Sequence, residues 1–200
     1  MRIILIGGSG TIGREVARAL QADHEVVTAS RSGGTLPVDI ADPESIEALF
    51  RAAGAFDALV SAAGSARFGA LDELGDDDYL FSLKNKLMGQ VNLVRIGRRF
   101  INDNGSFTLT SGVLAMQPMP GSSAISMVNA GLEGFVRAAQ MELTRGVRVN
   151  VVSPVWVQET LLALGRDTAG GMPAAQVARA YVASVTGTMK GAVLDVKDFA

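Results

Sequence analysis

Residues 2 to 13, RIILIGGSGTIG, set an apolar run of strand length directly ahead of glycines at positions 7, 10 and 13, with a helical pattern following. Few features restrict a fold more. Glycines so placed permit a tight turn, close approach of the backbone to a bound group, and close packing of the next helix. The free N–H groups at that helix start attract phosphate. The spacing is weak evidence alone and gains weight from its position between a strand and a helix.

The rest of the chain repeats the theme. Short apolar runs at 2–6, 25–29, 35–40, 57–63, 106–111, 147–153 and 192–196 read as strands, and amphipathic stretches at 11–22, 43–53, 78–101, 122–145 and 173–186 read as helices. Asp42-Pro43 supplies an N-cap followed by proline at the first helical position. Strands alternating with helices predict an α/β fold, a doubly wound parallel sheet of about seven strands covered on both faces. No linker, repeat or low-complexity tract divides residues 1–200, so one domain is expected.

Composition removes several classes of function. With no cysteine and one histidine, zinc, haem-thiolate and cysteine-nucleophile sites are excluded, and a reducing compartment, with the cytoplasm as default, is permitted. A net charge of -2 with basic and acidic residues interspersed gives no footprint for nucleic acid or an anionic membrane. The uncharged stretch from Asn104 to Leu132 is interrupted by Pro118, Pro120 and several glycines, so it reads as strand, loop and helix, not a span.

The second strand bears on which nucleotide is bound. A ribose 2'-hydroxyl wants an acidic acceptor at its end, and the residues there are Ala29, Ser30, Arg31 and Ser32. Arg31 suits a forked, charge-assisted contact with a 2'-phosphate, helped by hydroxyl donors such as Ser32, which favours NADP(H). The alternative for Arg31 is an ordinary surface arginine. Asp39, at the end of the third strand, either accepts from an adenine amino group or begins a loop.

Over nearly its whole length the chain resembles the short-chain dehydrogenase/reductase family. The matching segments are Asp39-Ile40, SAAG at 61–64, ELTRGVRVNVVSPVWVQET at 142–160 and GAVLDV near the end. The glycine spacing and short length resemble an atypical branch. The resemblance implies a Rossmann-type sheet, NADP(H), and hydride exchange with a carbonyl or alcohol. The expected cofactor contacts are Gly7, Ser9, Gly10, Thr11, Ile12 and Gly13, then Arg31, Ser32, Asp39, Ile40, Ala62, Ala63, Gly64, Pro154 and Val157. The expected partners are a small-molecule substrate and further copies of the chain, as a dimer or tetramer, with no nucleic acid or membrane.

The family's catalytic residues carry over poorly. Its serine falls at Ser111 to within one residue, and its helix asparagine falls on Lys86, beside Asn85. Aligning NAGLEGF with KAALEGF puts Asn129 at the family's lysine and Ile125 at its tyrosine, so the YxxxK pair is absent. The resemblance implies that Ser111 orients substrate. Asn129 can still hydrogen-bond ribose, but a neutral amide cannot shift a neighbouring pKa by charge. Lys86 is either a partly desolvated proton donor or a surface charge like Lys84. Of the remaining phenols, Tyr79 is expected to begin the long helix away from the sheet's carboxyl edge and Tyr181 to lie in the last helix, neither suited to replace the donor, and Ile125 also fits a core stripe with Leu132, Val136, Ala139 and Leu143. Trp156, Leu161, Leu162, Leu164, Met172, Met116 and Met119 read as an apolar pocket, a subunit contact or core. Two functions remain: an NADP(H)-dependent oxidoreductase with an atypical proton donor, and a non-catalytic dinucleotide sensor or regulatory protein.

Overall fold

The run Ile3-Ile4-Leu5-Ile6 is apolar at every position because both faces of its strand are covered. In the computed structural model, which describes residues 1–200, Ile4 and Ile6 of β1 (Arg2–Ile6) join one buried cluster while Ile3 and Leu5 join another. Alternate side chains of a strand point to opposite faces, so a strand inside a three-layer structure has no polar side.

The sheet contains β1, β2 (Glu25–Ser30), β3 (Leu36–Pro37), β4 (Phe56–Ser61), β5 (Ile101–Thr110), β6 (Arg148–Ser153) and β7 (Val193–Asp195), all parallel, in the order β3-β2-β1-β4-β5-β6-β7. On one face lie α2 (Pro43–Ala53), α4 (Gly89–Gly97) and α5 (Ser123–Glu142), whose Leu49, Phe50, Leu93, Leu132 and Val136 meet Phe107 and Leu109 of β5. On the other lie α1 (Thr11–Gln21) and α7 (Ala174–Thr186), which bury Val16, Leu20, Val177 and Tyr181 against Ile3 and Leu5. Strand order reverses between β1 and β4, which opens a crevice at their carboxyl ends. Open α/β sheets bind ligands in such a crevice.

Asp42 caps α2 by accepting from Glu44 N at 2.9 Å, as the Asp-Pro pair predicts. The stretch expected as one helix over 78–101 is instead α3 (Asp76–Ser82), a π-helical turn over Leu83–Met88, and α4. β5 starts at Ile101, earlier than its apolar run, and passes through Asn104 at φ 61. The third strand shrinks to two paired residues, and a short helix, α6 (Gln158–Ala163), stands in a segment to which the sequence pattern assigns neither strand nor helix.

A side chain fixes α4 to the end of β5. Fully buried Gln90 donates from Nε2 to Thr110 O (2.9 Å) and accepts at Oε1 from Thr110 N (2.8 Å), satisfying both main-chain groups of the strand's last residue. Buried backbone groups left unpaired cost about 1–3 kcal/mol each. Gln90→Met, similar in volume, is therefore expected to lower the free energy of unfolding by about 2–4 kcal/mol in a urea titration; a loss below about 0.5 kcal/mol, the range of neutral surface changes, would mean the clamp is replaced by other partners.

Candidate active site

Two adjoining cavities lie along the crevice, of about 200 and 300 Å³, sharing Ala63 and Gly64 in their walls. The first lies over the ends of β1, β2 and β3 and is lined by Gly7, Ser9, Arg31, Ser32, Asp39 and Ile40, among others. The second lies over β4, β5 and β6 and brings together Ile12, Ala62, Lys86, Ser111, Asn129, Pro154 and Val157. Gly10, Thr11 and Gly13 line neither; Gly10 is the N-cap of α1, and Thr11 and Gly13 lie in its first turn.

Two glycines of the β1–α1 junction are sterically required. Gly7 has φ +83, and a Cβ there would stand 2.8 Å from Ala62 O, while a Cβ on Gly13 would overlap the Gly7 carbonyl. No side chain caps the start of α1 and no acid occupies its first turn. Its N–H groups and dipole are thus open to an anion.

At the end of β2 Arg31 is exposed and has no ion-pair or hydrogen-bond partner in the chain, and Ser30 Oγ donates to Ser32 O at 2.6 Å. Asp39 begins a loop, one of the two readings left open by the sequence. Its Oδ1 accepts from Ala41 N (3.0 Å), which begins the loop, while the residue still lines the cavity.

Lys86 is not a surface charge. It projects from the π-helical turn into the second cavity, is 9% exposed, and donates from Nζ to Ser111 O at 3.1 Å. No carboxylate forms an ion pair with it, and burial pushes its ammonium down to about 8. Neighbouring Lys84, two residues away on the same turn, is exposed. Gly64, at φ +126, lets the loop after β4 lie against Lys86, where a Cβ would stand 3.2 Å from Lys86 Cα. Asn85 fixes the same loop by accepting from Ser65 N at 2.9 Å.

Ser111 is in the site, but its hydroxyl is turned from the part the resemblance implies. Oγ donates to Glu133 Oε1 at 3.1 Å, deep under α5. A serine has one proton to give, so orienting a substrate carbonyl would mean releasing Glu133. What Ser111 offers the cavity's ammonium is its main-chain oxygen. Glu133, a buried carboxylate, and Gln90 went unread in the sequence. The one signal for Glu133 was an acid inside the otherwise apolar turn of NAGLEGF.

Asn129 is 1% exposed and lines the second cavity; Nδ2 donates to Gly112 O at 3.4 Å and Oδ1 has no partner. Ile125, one turn earlier, is half-buried in the same wall and not in the core cluster that holds Leu132 and Val136. Tyr79 stands above the start of α5, bonded through its hydroxyl to Ser123 Oγ (2.7 Å), at the carboxyl side of the sheet and not away from it. It lines neither cavity. Tyr181 is fully buried against Thr110 Oγ1 (2.7 Å), and burial pushes its phenol well above its ordinary range. Of the apolar residues expected to cover a pocket, Trp156 lines the cavity, Leu161 and Met172 are buried, and Leu162, Leu164, Met116 and Met119 are exposed.

The donor set suits a dinucleotide. A pyrophosphate matches the open start of α1, and the orphaned Asn129 oxygen matches a ribose hydroxyl, which can donate to it. An unpaired buried ammonium is costly to the fold. Because the pKa of Lys86 falls from 10.5 to about 8 on folding, the native state binds fewer protons than the unfolded chain between those values. Stability relative to a neutral variant therefore rises with pH across that window. Lys86→Met is expected to be more stable than the parent at pH 7 by up to about 3 kcal/mol, with the advantage shrinking from pH 8 to 10. Equal stability of the two proteins at pH 7 would contradict a desolvated ammonium.

Comparison with known proteins agrees with this geometry. The family model described as enoyl-(acyl carrier protein) reductase matches residues 10–191. Curated relatives include carbonyl reductase family member 4 of Danio rerio, 28% identical over 76% of this chain and 73% of its own, and the 3-oxoacyl-[acyl-carrier-protein] reductase of Mus musculus, 29% identical over 76% and 74%. The crystal structure of the protein lin1944 from Listeria innocua is 40% identical, covers 98% of this chain and 99% of that one, and superposes with a TM-score of 0.95. A small-chain dehydrogenase solved in complex with NADPH is 28% identical over 98% and 95%, with a TM-score of 0.86. A parallel seven-stranded sheet, a glycine cradle at its switch point and a match over most of the length lead to one conclusion: the chain belongs to the short-chain dehydrogenase/reductase family.

Proposed function

We propose that the protein is an NADP(H)-dependent oxidoreductase acting on a small apolar carbonyl or alcohol, with the Lys86 ammonium as its proton donor. The observation that carries this reading is a buried cation without a counter-ion, inside the cavity where the family works and where the phenol of YxxxK is missing. Bound NADPH would supply the hydride. The main-chain amides at the start of α1 hold the pyrophosphate, and Arg31 forks onto the 2'-phosphate. Asn129 Oδ1 accepts from a ribose hydroxyl.

Around the substrate, Trp156, Val155, Leu114, Val113 and Ile125 give the cavity that Lys86 enters an apolar lining. The ammonium donates to the substrate oxygen while Ser111 O holds it in place. As negative charge develops on that oxygen it becomes the anion that Lys86 lacks in the resting site. A preset, largely buried cation favours the charged transition state over the neutral ground state. Its proton then passes to the oxygen, and the neutral amine regains one from solvent. With a pKa of about 8, Lys86 is charged at neutral pH yet able to release its proton.

A second reading has its own observation. Ile125 and Asn129 face the cavity and leave it without the family's acid-base pair, as a dinucleotide sensor would. Two measurements separate the readings. Fluorescence titration is expected to give at least about tenfold tighter binding of NADPH than NADH, with the preference lost in Arg31→Ala; equal affinities would remove the 2'-phosphate contact. With NADPH and a panel of short aliphatic and aromatic aldehydes and ketones, kcat/KM for reduction should fall as pH rises through about 8, where the ammonium is lost. Lys86→Gln should cut turnover about 10²-fold or more while keeping NADPH affinity. NADPH binding with no turnover across the panel would favour the sensor.

A further inference from the structure

We propose that Lys86 is also a covalent capture site for small apolar aldehydes, which it takes as imines. This goes beyond hydride transfer and stands without a bound dinucleotide. The geometry of one hydrogen bond carries it. Once neutral, the Lys86 amine has two N–H bonds and a lone pair, and the chain offers its nitrogen one acceptor, Ser111 O at 3.1 Å. That contact uses an N–H bond, and no carboxylate pairs with the nitrogen. The lone pair is left for whatever enters the cavity of about 300 Å³ that Lys86 helps line.

Lysines become nucleophiles when desolvated in apolar pockets, because burial leaves more of the amine unprotonated. An amine at about 8 holds about 10²-fold more free base at neutral pH than an ordinary lysine. The cavity supplies the rest. Ile125, Leu114 and Trp156 can receive a short alkyl group, and the residue's burial limits the water that would hydrolyse the product.

In the step itself the Lys86 nitrogen attacks the aldehyde carbon, forming an N–C bond as the carbonyl π pair moves to oxygen. One of the two nitrogen protons passes to that oxygen to give the carbinolamine; its hydroxyl takes a second proton from solvent and leaves as water while the nitrogen pair closes the C=N bond, and the iminium returns its remaining N–H proton to solvent to give the imine. No oxidant or reductant is needed, and the linkage is reversible. Added cyanoborohydride delivers hydride to the protonated imine carbon and fixes it as a secondary amine.

The sequence provides its own controls. The chain has four lysines, and Lys84, Lys190 and Lys197 are exposed. The protein without added dinucleotide is incubated at pH 7 with butanal and sodium cyanoborohydride, digested, and read by mass spectrometry at each lysine. The expected result is butylation at Lys86 at least about tenfold faster than at any exposed lysine, with its advantage narrowing as pH is raised to 10. Lys86→Arg, first checked for a native melting transition, should lose the fast-labelled site and keep the slow ones. Labelling of Lys86 at or below the rate of Lys84 would overturn the proposal, and this comparison within the parent protein needs no variant. Because no NADPH is present, failure here leaves the oxidoreductase reading intact, and loss of turnover in that assay leaves this one intact.

Discussion

A buried amine without a counter-ion is the constraint around which the carboxyl edge of this sheet is organised. Desolvation penalises the charged form, and with no carboxylate to offset it the fold must hold the group mechanically. A π-helical turn carries Lys86, Gly64 admits its backbone, and Ser111 O receives its ammonium. Gln90 locks the same helical stretch to Thr110, one residue before Ser111. Single π turns inside α-helices occur often at functional sites, and this one sets a cation in place.

The arrangement redistributes polar groups between two helices. By the resemblance, Ile125 and Asn129 on α5 fall where the family has tyrosine and lysine, and Lys86 falls where it has an asparagine. The structure sets an amide on α5 and an amine on the preceding helical stretch in the walls of one cavity. Glu133 accompanies the change by taking the Ser111 hydroxyl inward, which leaves the ammonium as the cavity's strong donor. A site of this kind can stabilise an oxyanion or, when neutral, attack a carbonyl. Both follow from the same burial.

Features set by short-range spacing were legible in the sequence. The cradle at Gly7, Gly10 and Gly13, the missing acid after β2, and the Asp42 cap each depend on a few adjacent residues. The strand at 2–6 was legible because burial on both faces leaves an unbroken apolar run. The helix over 78–101 was misread because the π turn adds no proline or other breaker. Polar Asn102, Asp103 and Asn104 hid the early start of β5. The fate of Lys86 depended on helix phase across that turn, and the direction of the Ser111 hydroxyl depended on Glu133, 22 residues later. Neither is a local property, so neither could be read from spacing. Leu162, Leu164, Met116 and Met119 show the converse: apolar character alone did not say which residues would line the cavity and which would face outward.

The most direct test is a crystal structure of the protein with NADP⁺ bound, measuring from Lys86 Nζ to C4 of the nicotinamide. The account predicts that the ring enters the second cavity with Nζ within about 4 Å of the space beside C4 where a substrate oxygen would sit, with Asn129 Oδ1 bonded to the ribose. A nicotinamide lying elsewhere, or Nζ remaining farther than about 7 Å from that space, beyond the reach of one bridging water, would contradict it.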